Sequence, residues 1–299
     1  MHGWIILDKP LGLGSTQGVS AVKRVLRQGG YGKGIKVGHG GTLDPLATGV
    51  LPIAVGEATK LAGRMLDSDK VYDFTIRFGV QTSTLDAEGE VVAESDGRPT
   101  REALEAVLPR FTGPIEQVPP AYSALKIDGE RAYDLARAGE EVVLASRSVT
   151  IHSLTPTPGP VAEDLEEVTL TAHVSKGTYI RSLARDIALA LGTVGHVTML
   201  RRIKAGPFTL ASAISLDKLN EMGQARGLED ILLPLRAGLD DIPALALDPD
   251  QAGALRQGRV LVGIAADDGQ YFAMLGDRPV ALVEALDGDV RVVRGFNLD

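Results

Sequence analysis

The sequence predicts an α+β fold that ends in a small β-rich domain. Two segments, 71–78 and 168–174, alternate apolar and polar residues with the period of a β-strand. Helical segments lie between the predicted strands without the regular strand–helix–strand order of a doubly wound parallel sheet. Beyond about Asp240 the pattern changes to short β-like runs.

The N-terminal part begins with a predicted buried strand at 4–8. Ser15 or Thr16 can cap a helix that runs to about Gln28. A glycine-rich loop at 29–41 follows, and then a predicted strand at 51–55 and a helix at 57–66.

The middle of the chain carries the clearest strand pattern. In segment 71–78 one face is apolar and consists of Tyr72, Phe74, Ile76 and Phe78. The pattern then predicts an amphipathic helix at 100–110, a loop-rich insertion at 111–150, and a helix at 180–191 after strand 168–174.

The C-terminal part contains four short β-like runs, at 260–264, 271–275, 280–284 and 290–293. Together with Pro243 and Pro249, they predict a boundary between a large domain, 1–238, and a small one, 239–299.

Composition narrows the class of protein. The chain has 299 residues and no cysteine, which excludes disulfides, thiolate chemistry and cysteine zinc sites. Its apolar runs are short, and Met1-His2-Gly3-Trp4 lacks the basic region of a secretory signal. We therefore expect a cytoplasmic protein that does not enter a membrane.

The net charge of −8 is unevenly distributed. Segments 1–82 and 171–210 carry +4 and +5, whereas 83–170 and 211–299 carry −10 and −7. A basic face on an acidic protein can bind phosphates, because the field close to a site matters more than the total charge.

Segment 38–49, GHGGTLDPLATG, places one carboxylate, Asp44, in a loop bounded by four glycines and Pro45. The glycines allow tight turns and close approach of a ligand, and the proline restricts Asp44 to an extended conformation. Taken alone, an Asp-Pro pair is more often an ordinary turn or helix cap.

Several common classes of catalytic and nucleotide-binding site are excluded because the sequence lacks their motifs. The sequence has no P-loop, no dinucleotide fingerprint and no nucleophile elbow. The histidines show no metal-binding spacing; they are His2, His39, His152, His173 and His196. We therefore expect neither a metal nor an organic cofactor, and Asp44 is the best candidate acid.

Five ordered blocks resemble the TruB family of pseudouridine synthases, and in particular its stand-alone bacterial branch. They are LDKP at 7–10, GTLDPLATG at 41–49, GEATK at 56–60, SALK at 123–126 and SKGTYIR at 175–181. The resemblance extends from about residue 3 to residue 236.

The resemblance implies a pseudouridine-synthase fold with a central mixed, mostly antiparallel sheet and flanking helices, followed by a PUA-like RNA-binding domain. It implies that the protein isomerises uridine 55 in the T-loop of tRNA without a cofactor. The uridine must leave its stack before its sugar can react, which predicts base flipping. The implied partner is the T-arm of tRNA, bound by a monomer.

The resemblance also assigns site residues. Asp44 matches the catalytic aspartate, which acts either at the sugar C1′ or in removing a ribose proton. Arg181 matches the arginine that keeps this carboxylate charged. Tyr72 matches the tyrosine that stacks on the flipped base, and Tyr179 and Leu200 would line the pocket, although each of these three side chains could equally serve the core.

Further residues are assigned to RNA contacts. His39 matches a histidine that contacts the splayed T-loop. Lys9 and Lys60 would orient RNA or neighbouring acids, or could equally be structural ion-pair partners. A basic cluster suits backbone phosphates and consists of Arg201, Arg202 and Lys204.

Gly40 stands where the family usually has threonine, so a hydroxyl near the loop is lost while Asp44 is kept.

The insertion at about 120–150 corresponds to a thumb that closes over the T-loop. Its side chains expected to face RNA are Tyr122, Lys126, Arg131, Arg137 and Arg147.

Two other functions stay open at this point. A non-catalytic RNA-binding protein could use the same cleft, although it would have no use for Asp44 facing phosphate-rich RNA. A guide-dependent relative could modify ribosomal RNA inside a particle, although the thumb-like insertion and short tail favour the stand-alone form.

Overall fold

The computed structural model describes residues 1–32, 34–123, 125–127, 130–139, 142, 144–159 and 164–298. Lys33 and Ala124, and the side chains of Lys126 and Arg131, lie outside the described residues. The RNA contacts predicted for Lys126 and Arg131 therefore stay predictions.

The strands within these ranges are, in chain order, β1 (Gly3–Lys9), β2 (Val37–His39), β3 (Ala47–Val55), β4 (Lys70–Phe78), β5 (Val80–Thr82), β6 (Val91–Glu94), β7 (Gly113–Gln117), β8 (Lys126–Ile127), β9 (Glu130–Arg131), β10 (Arg147–Pro156), β11 (Glu167–Val174), β12 (Gly195–Ala205), β13 (Phe208–Thr209), β14 (Leu233–Pro234), β15 (Ala244–Ala246), β16 (Gly269–Leu275), β17 (Arg278–Leu286) and β18 (Asp289–Gly295). The α-helices are α1 (Ser15–Gln28), α2 (Ala62–Asp67), α3 (Arg101–Val107), α4 (Ala132–Arg137), α5 (Ile180–Ala190), α6 (Leu216–Ala225) and α7 (Pro249–Arg256).

One large sheet has the strand order β14-β1-β3-β12-β4-β11-β10-β7, with β2 added beside β3 and β13 beside β12. Its pairs are antiparallel except β3 with β12, which are parallel. A separate sheet of order β15-β16-β17-β18 follows. The α+β fold, the mixed and mostly antiparallel sheet and the C-terminal β domain are thus confirmed.

Apolar faces explain how these layers pack. The face of β4 formed by Phe74, Ile76 and Phe78 is fully buried against α3 and α5, as its alternation predicts. On the other half of the sheet, α1 and α6 cover β1 and β3. Trp4 belongs to a third cluster that includes Phe272 and Phe296, so the C-terminal sheet shares a core with the large one.

Three local predictions were wrong. Segment 57–66 is divided into a 3₁₀ turn (Gly56–Leu61) and the short helix α2. Run 260–264 forms only an isolated bridge from Leu261 to Val290. The N-cap of α1 is Gly14, whose N–H donates to the Gln17 side chain; the hydroxyl of Ser15 instead binds the loop around Asp44.

None of the helices in the described ranges is long and apolar enough to cross a membrane. The domain boundary at 238/239 stays a prediction.

Candidate active site

A cleft of about 300 Å³ lies where the loop around Asp44, the start of β4 and the N-terminus of α5 meet. That volume is at the lower end of the range for ligand pockets. Its predicted site residues are Asp44, Tyr72, Tyr179, Arg181 and Leu200, which are distant in sequence and adjacent here.

Asp44 and Arg181 form an ion pair in this cleft. The Arg181 Nη2 lies 2.9 Å from the Asp44 Oδ2. The arginine side chain is only 8% exposed, whereas the aspartate side chain is 43% exposed. The guanidinium therefore fixes one carboxylate oxygen from behind, and the carboxylate faces the open cleft, where a ligand can reach it.

Arg181 is itself held in place by backbone oxygens. Its Nη1 donates to the Thr84 carbonyl at 2.9 Å, and its Nη2 donates to the Tyr122 carbonyl at 3.0 Å. A second carboxylate, buried Asp86, approaches Nη1 to 3.8 Å. Sequence reasoning missed Asp86; its only signal was one acid within the polar loop after β5.

Gln117 positions the start of α5. Its amide oxygen accepts from the Tyr179 N–H at 2.8 Å, and its amide nitrogen donates to the Tyr179 carbonyl at 3.1 Å. This buried side chain fixes the helix end from which Arg181 projects. Gln117 was also missed, because no sequence pattern links it to residue 179.

Three buried polar side chains hold the loop that carries Asp44. The Ser15 hydroxyl bonds both the N–H and the carbonyl of Leu43, at 2.8 and 2.9 Å. The Lys9 ammonium donates to the Pro45 carbonyl at 3.2 Å. The loop is therefore anchored on both sides of Asp44, and its carboxylate needs little reorganisation to meet a ligand.

Arg202 is the third support, and its predicted phosphate contact was wrong. The side chain is 1% exposed and donates to the carbonyls of Gly41, Thr42 and Val50. It comes from β12, whose partner β3 follows the loop. Gly49 makes this contact possible, because a Cβ at its φ of +102° would lie 2.1 Å from the Arg202 carbonyl.

Lys9 is also buried, with an exposure of 0%, so its predicted contact with RNA was wrong. Among the described residues it binds carbonyl oxygens and forms no ion pair. Besides Pro45, its ammonium donates to the carbonyls of Pro10 and Leu13. Burial lowers the pKa of Lys9 to about 8, and the charge of Asp44 partly opposes that shift.

Replacing Lys9 by methionine should lower the free energy of unfolding by about 2–4 kcal/mol at pH 7.5, because three carbonyl oxygens lose their donor. The lowered pKa means that between pH 8 and 10.5 the unfolded chain holds more protons at this position. The contribution of Lys9 to stability therefore rises with pH in that window, and this added part is lost as the pH falls through 8, where the contribution of about 2–4 kcal/mol from the hydrogen bonds stays.

Urea unfolding of wild type and Lys9→Met at pH 7.5 and 9 checks this. The gap between the two proteins should widen by about 1 kcal/mol at the higher pH. Lys23→Met, on the exposed side of α1, is the matched control. A gap that stays constant or narrows would contradict the assignment.

Tyr72, Tyr179 and Leu200 form aromatic and apolar walls of the cleft. Tyr72 is partly buried against two core clusters and also lines the cleft, so both of its predicted roles are compatible with its position. Burial raises the pKa of the Tyr179 phenol. Leu200 lies on β12 beside Ala47 and Phe74.

The remaining predicted residues lie outside this cleft. The Lys60 ammonium binds Glu57 at 2.6 Å and the Gly295 carbonyl at 2.8 Å, so it joins the 3₁₀ turn after β3 to the end of β18. His39 lies on β2; burial lowers its pKa, and its Nδ1 has no hydrogen-bond partner among the described residues. Arg201 pairs with Asp8 at 3.0 Å.

Residue 40 must be glycine in this chain because the Met65 side chain lies against it. A Cβ at this position would lie 2.6 Å from the Met65 Cβ, closer than van der Waals contact permits. We expect Gly40→Ala to lower the free energy of unfolding by about 1–3 kcal/mol, and the threonine usual in the family to cost at least as much.

Urea unfolding checks that expectation. The control is Gly38→Ala on the adjoining strand β2, where no atom lies within 4 Å of the added Cβ. Equal stabilities of the two alanine variants would show that α2 can move away from residue 40.

Part of the thumb-like insertion is described. Tyr122 and Tyr133 meet edge to face with ring centroids 6.0 Å apart, and the Arg137 guanidinium lies 4.3 Å from the centre of the Tyr133 ring. Arg147 lies 5.8 Å from the Tyr179 ring, at the edge of the cleft. The insertion thus places two arginines over aromatic rings, and the ring beside Arg147 belongs to a residue that lines the cleft.

The fold is that of a pseudouridine synthase. A chain in a solved H/ACA RNP bound to a substrate RNA containing 2′-deoxyuridine aligns with a TM-score of 0.73, at 24% identity, over 99% of this chain and 85% of that one. A Cbf5-Nop10-Gar1 complex aligns with a TM-score of 0.72, at 25% identity, over 99% and 84%.

Sequence comparison identifies the family within that fold. The profile of the TruB family pseudouridylate synthase N-terminal domain matches residues 23–180, and that of the tRNA pseudouridylate synthase B C-terminal domain matches 181–240. The chain belongs to the TruB family of pseudouridine synthases and is an isomerase.

Similar proteins extend over the whole length. The tRNA pseudouridine synthase B of Novosphingobium aromaticivorans is 69% identical over 100% of this chain and 98% of that protein. Those of Zymomonas mobilis and Caulobacter vibrioides are 61% and 49% identical, over 99% and 100% of this chain and 96% and 97% of theirs.

Proposed function

We propose that this protein converts uridine 55 in the T-loop of tRNA to pseudouridine, with Asp44 as the essential group. The observation that carries the proposal is the Asp44–Arg181 pair at 2.9 Å, with the arginine buried and the carboxylate open to the cleft. The relatives of 46–69% identity that are named tRNA pseudouridine synthase B support tRNA as the substrate.

The reaction is an isomerisation and needs no net oxidation or added group. The N1–C1′ bond of uridine breaks, the uracil turns, and a C5–C1′ bond forms. The proton on C5 is lost to solvent and N1 gains one. Asp44 acts either by attacking C1′ or by assisting removal of a ribose proton, and in both routes Arg181 holds its carboxylate in position.

The cleft walls suit one flipped base. Tyr72 and Tyr179 offer aromatic faces on which an extruded uracil can stack, and Leu200 offers an apolar edge. The volume of about 300 Å³ suits a single nucleoside rather than a longer stretch of stacked RNA. These features support base flipping, which allows the enzyme to reach C1′.

The surroundings of the cleft provide groups for the RNA backbone. Arg137 and Arg147 lie on the thumb-like insertion, and exposed Lys204 lies on β12. We assign to the C-terminal sheet a PUA-like role in binding tRNA, and we expect a cytoplasmic monomer that binds one T-arm.

Tritium release from a tRNA transcript labelled with [5-³H]uridine tests the proposal. The matched substrate carries cytidine in place of uridine 55, and primer extension after carbodiimide treatment locates the product. Fluorescence of a 2-aminopurine beside position 55 reports on unstacking. We expect release from the first transcript only, at position 55, together with a fluorescence increase on binding.

The other outcomes separate the alternatives. Equal release from both transcripts would overturn the assigned position. Binding without release from either would favour a non-catalytic RNA-binding protein. Release that requires an added guide RNA would favour a guide-dependent enzyme. The similar chain in the H/ACA RNP is 24% identical and supports only the fold.

A further inference from the structure

A cluster of two histidines and one aspartate lies outside the cleft. Asp69 comes directly before β4, and His173 lies on the neighbouring strand β11. His152 lies on β10, at the bulge where the register with β11 shifts between Ile151 and Ser153. Three segments that are 83 and 21 residues apart in sequence thus bring these side chains together.

The distances are those of a metal-binding set. The His152 Nε2 lies 3.1 Å from the Asp69 Oδ2, and the His173 Nε2 lies 3.6 Å from the same oxygen. Ligands held 2.0–2.2 Å from a tetrahedral zinc ion are about 3.3–3.6 Å apart. All three ligand atoms lie within 4.8 Å of one another, and the pair farthest apart must approach for one ion to bind all three.

The two histidine rings lie next to each other, tilted by 49°, so that one cation can contact both. Their ring centroids are 4.7 Å apart. A single divalent ion placed between the three groups binds both imidazoles in their neutral form.

We propose that Asp69, His152 and His173 bind one divalent transition-metal ion of the zinc class. Two imidazoles and a carboxylate suit zinc and exclude a magnesium site, which prefers oxygen ligands. The three side chains are 38–48% exposed, so water can complete the coordination. The histidine spacing in sequence did not indicate this site, because its ligands come from three separate strand segments.

The site is structural and independent of the proposed isomerase chemistry. His173 pairs with Val71, so it lies on the opposite face of the sheet from Tyr72 and the cleft. The ion would tie β10, the strand that leads out of the thumb-like insertion, to the start of β4. We therefore expect an effect on stability rather than on the cleft.

Titration of the full-length, chelator-treated protein with ZnCl₂ alone tests the site. Calorimetry should give one zinc per chain, and Co²⁺ should give a visible absorption band at the same stoichiometry. MgCl₂ should give no binding heat. Saturating zinc should raise the Tm by about 2–4 °C, and binding should weaken as the pH is lowered from 7.5 to 5.5, because histidines bind metals in their neutral form.

Variants separate this site from adventitious binding. His152→Gln, His173→Gln and Asp69→Asn should each weaken zinc binding by at least about tenfold. Asp67→Asn removes a carboxylate two residues away, which pairs instead with Lys176, and should leave binding unchanged. Absence of one-to-one binding in the wild type, or equal binding by all four variants, overturns the proposal.

Discussion

Asp44→Asn should abolish tritium release from labelled tRNA, with a fall in rate of about 10⁴-fold or more. Asparagine keeps the size of the side chain but can neither attack C1′ nor accept a ribose proton. Because the loop is held by Ser15, Lys9 and Arg202 rather than by Asp44 itself, we expect the fold and the tRNA affinity to change little.

Single-turnover tritium release, filter binding of tRNA and thermal unfolding measure the three quantities. Asp73→Asn is the matched control: Asp73 follows Tyr72 in sequence, faces the other side of the sheet and accepts a hydrogen bond from Thr171. Tritium release by Asp44→Asn at more than about a hundredth of the wild-type rate would show that Asp44 is not the essential group in the reaction.

The sequence was a good guide where one residue pattern determines one structure. The alternation in 71–78 places every second side chain on the buried face, and β4 has that face. Strand β12 was not predicted, although it lies at the centre of the sheet. Its Arg201, Arg202 and Lys204 are typical of an exposed loop, and only the distant partners of the first two, Asp8 and the loop carbonyls, allow them within a strand.

In the candidate site, too, residues within a local motif could be predicted, whereas residues that act through distant contacts could not. Asp44 and Arg181 lie in motifs that match the family, and the structure brings them into contact although 137 residues separate them. Asp86 and Gln117 act through contacts with Arg181 and Tyr179 that no local pattern encodes. Lys9 and Arg202 were misjudged for one reason: a basic residue predicts a surface phosphate contact unless the carbonyls that surround it are known.

The second variant for which we expect a large loss of reaction rate is Arg181→Lys, because Arg181 is buried against Asp44. Arg181→Lys keeps the positive charge but loses the planar fork that reaches Asp44 and the carbonyls of Thr84 and Tyr122 at once. An ammonium has three hydrogens on one atom and cannot span these positions, so the carboxylate loses its fixed orientation. We expect the single-turnover rate to fall by about 10²–10³-fold.

The tRNA affinity should change by no more than about threefold, because Arg181 is buried behind Asp44 and offers little surface to the RNA backbone. Arg185→Lys, one turn further along α5, pairs with Asp186 and serves as the matched control with near wild-type rate. A rate loss accompanied by an equal loss of tRNA affinity would instead make Arg181 a direct RNA contact. An Arg181→Lys rate within about tenfold of wild type would show that charge alone, without the fork geometry, is enough to prepare Asp44 for reaction.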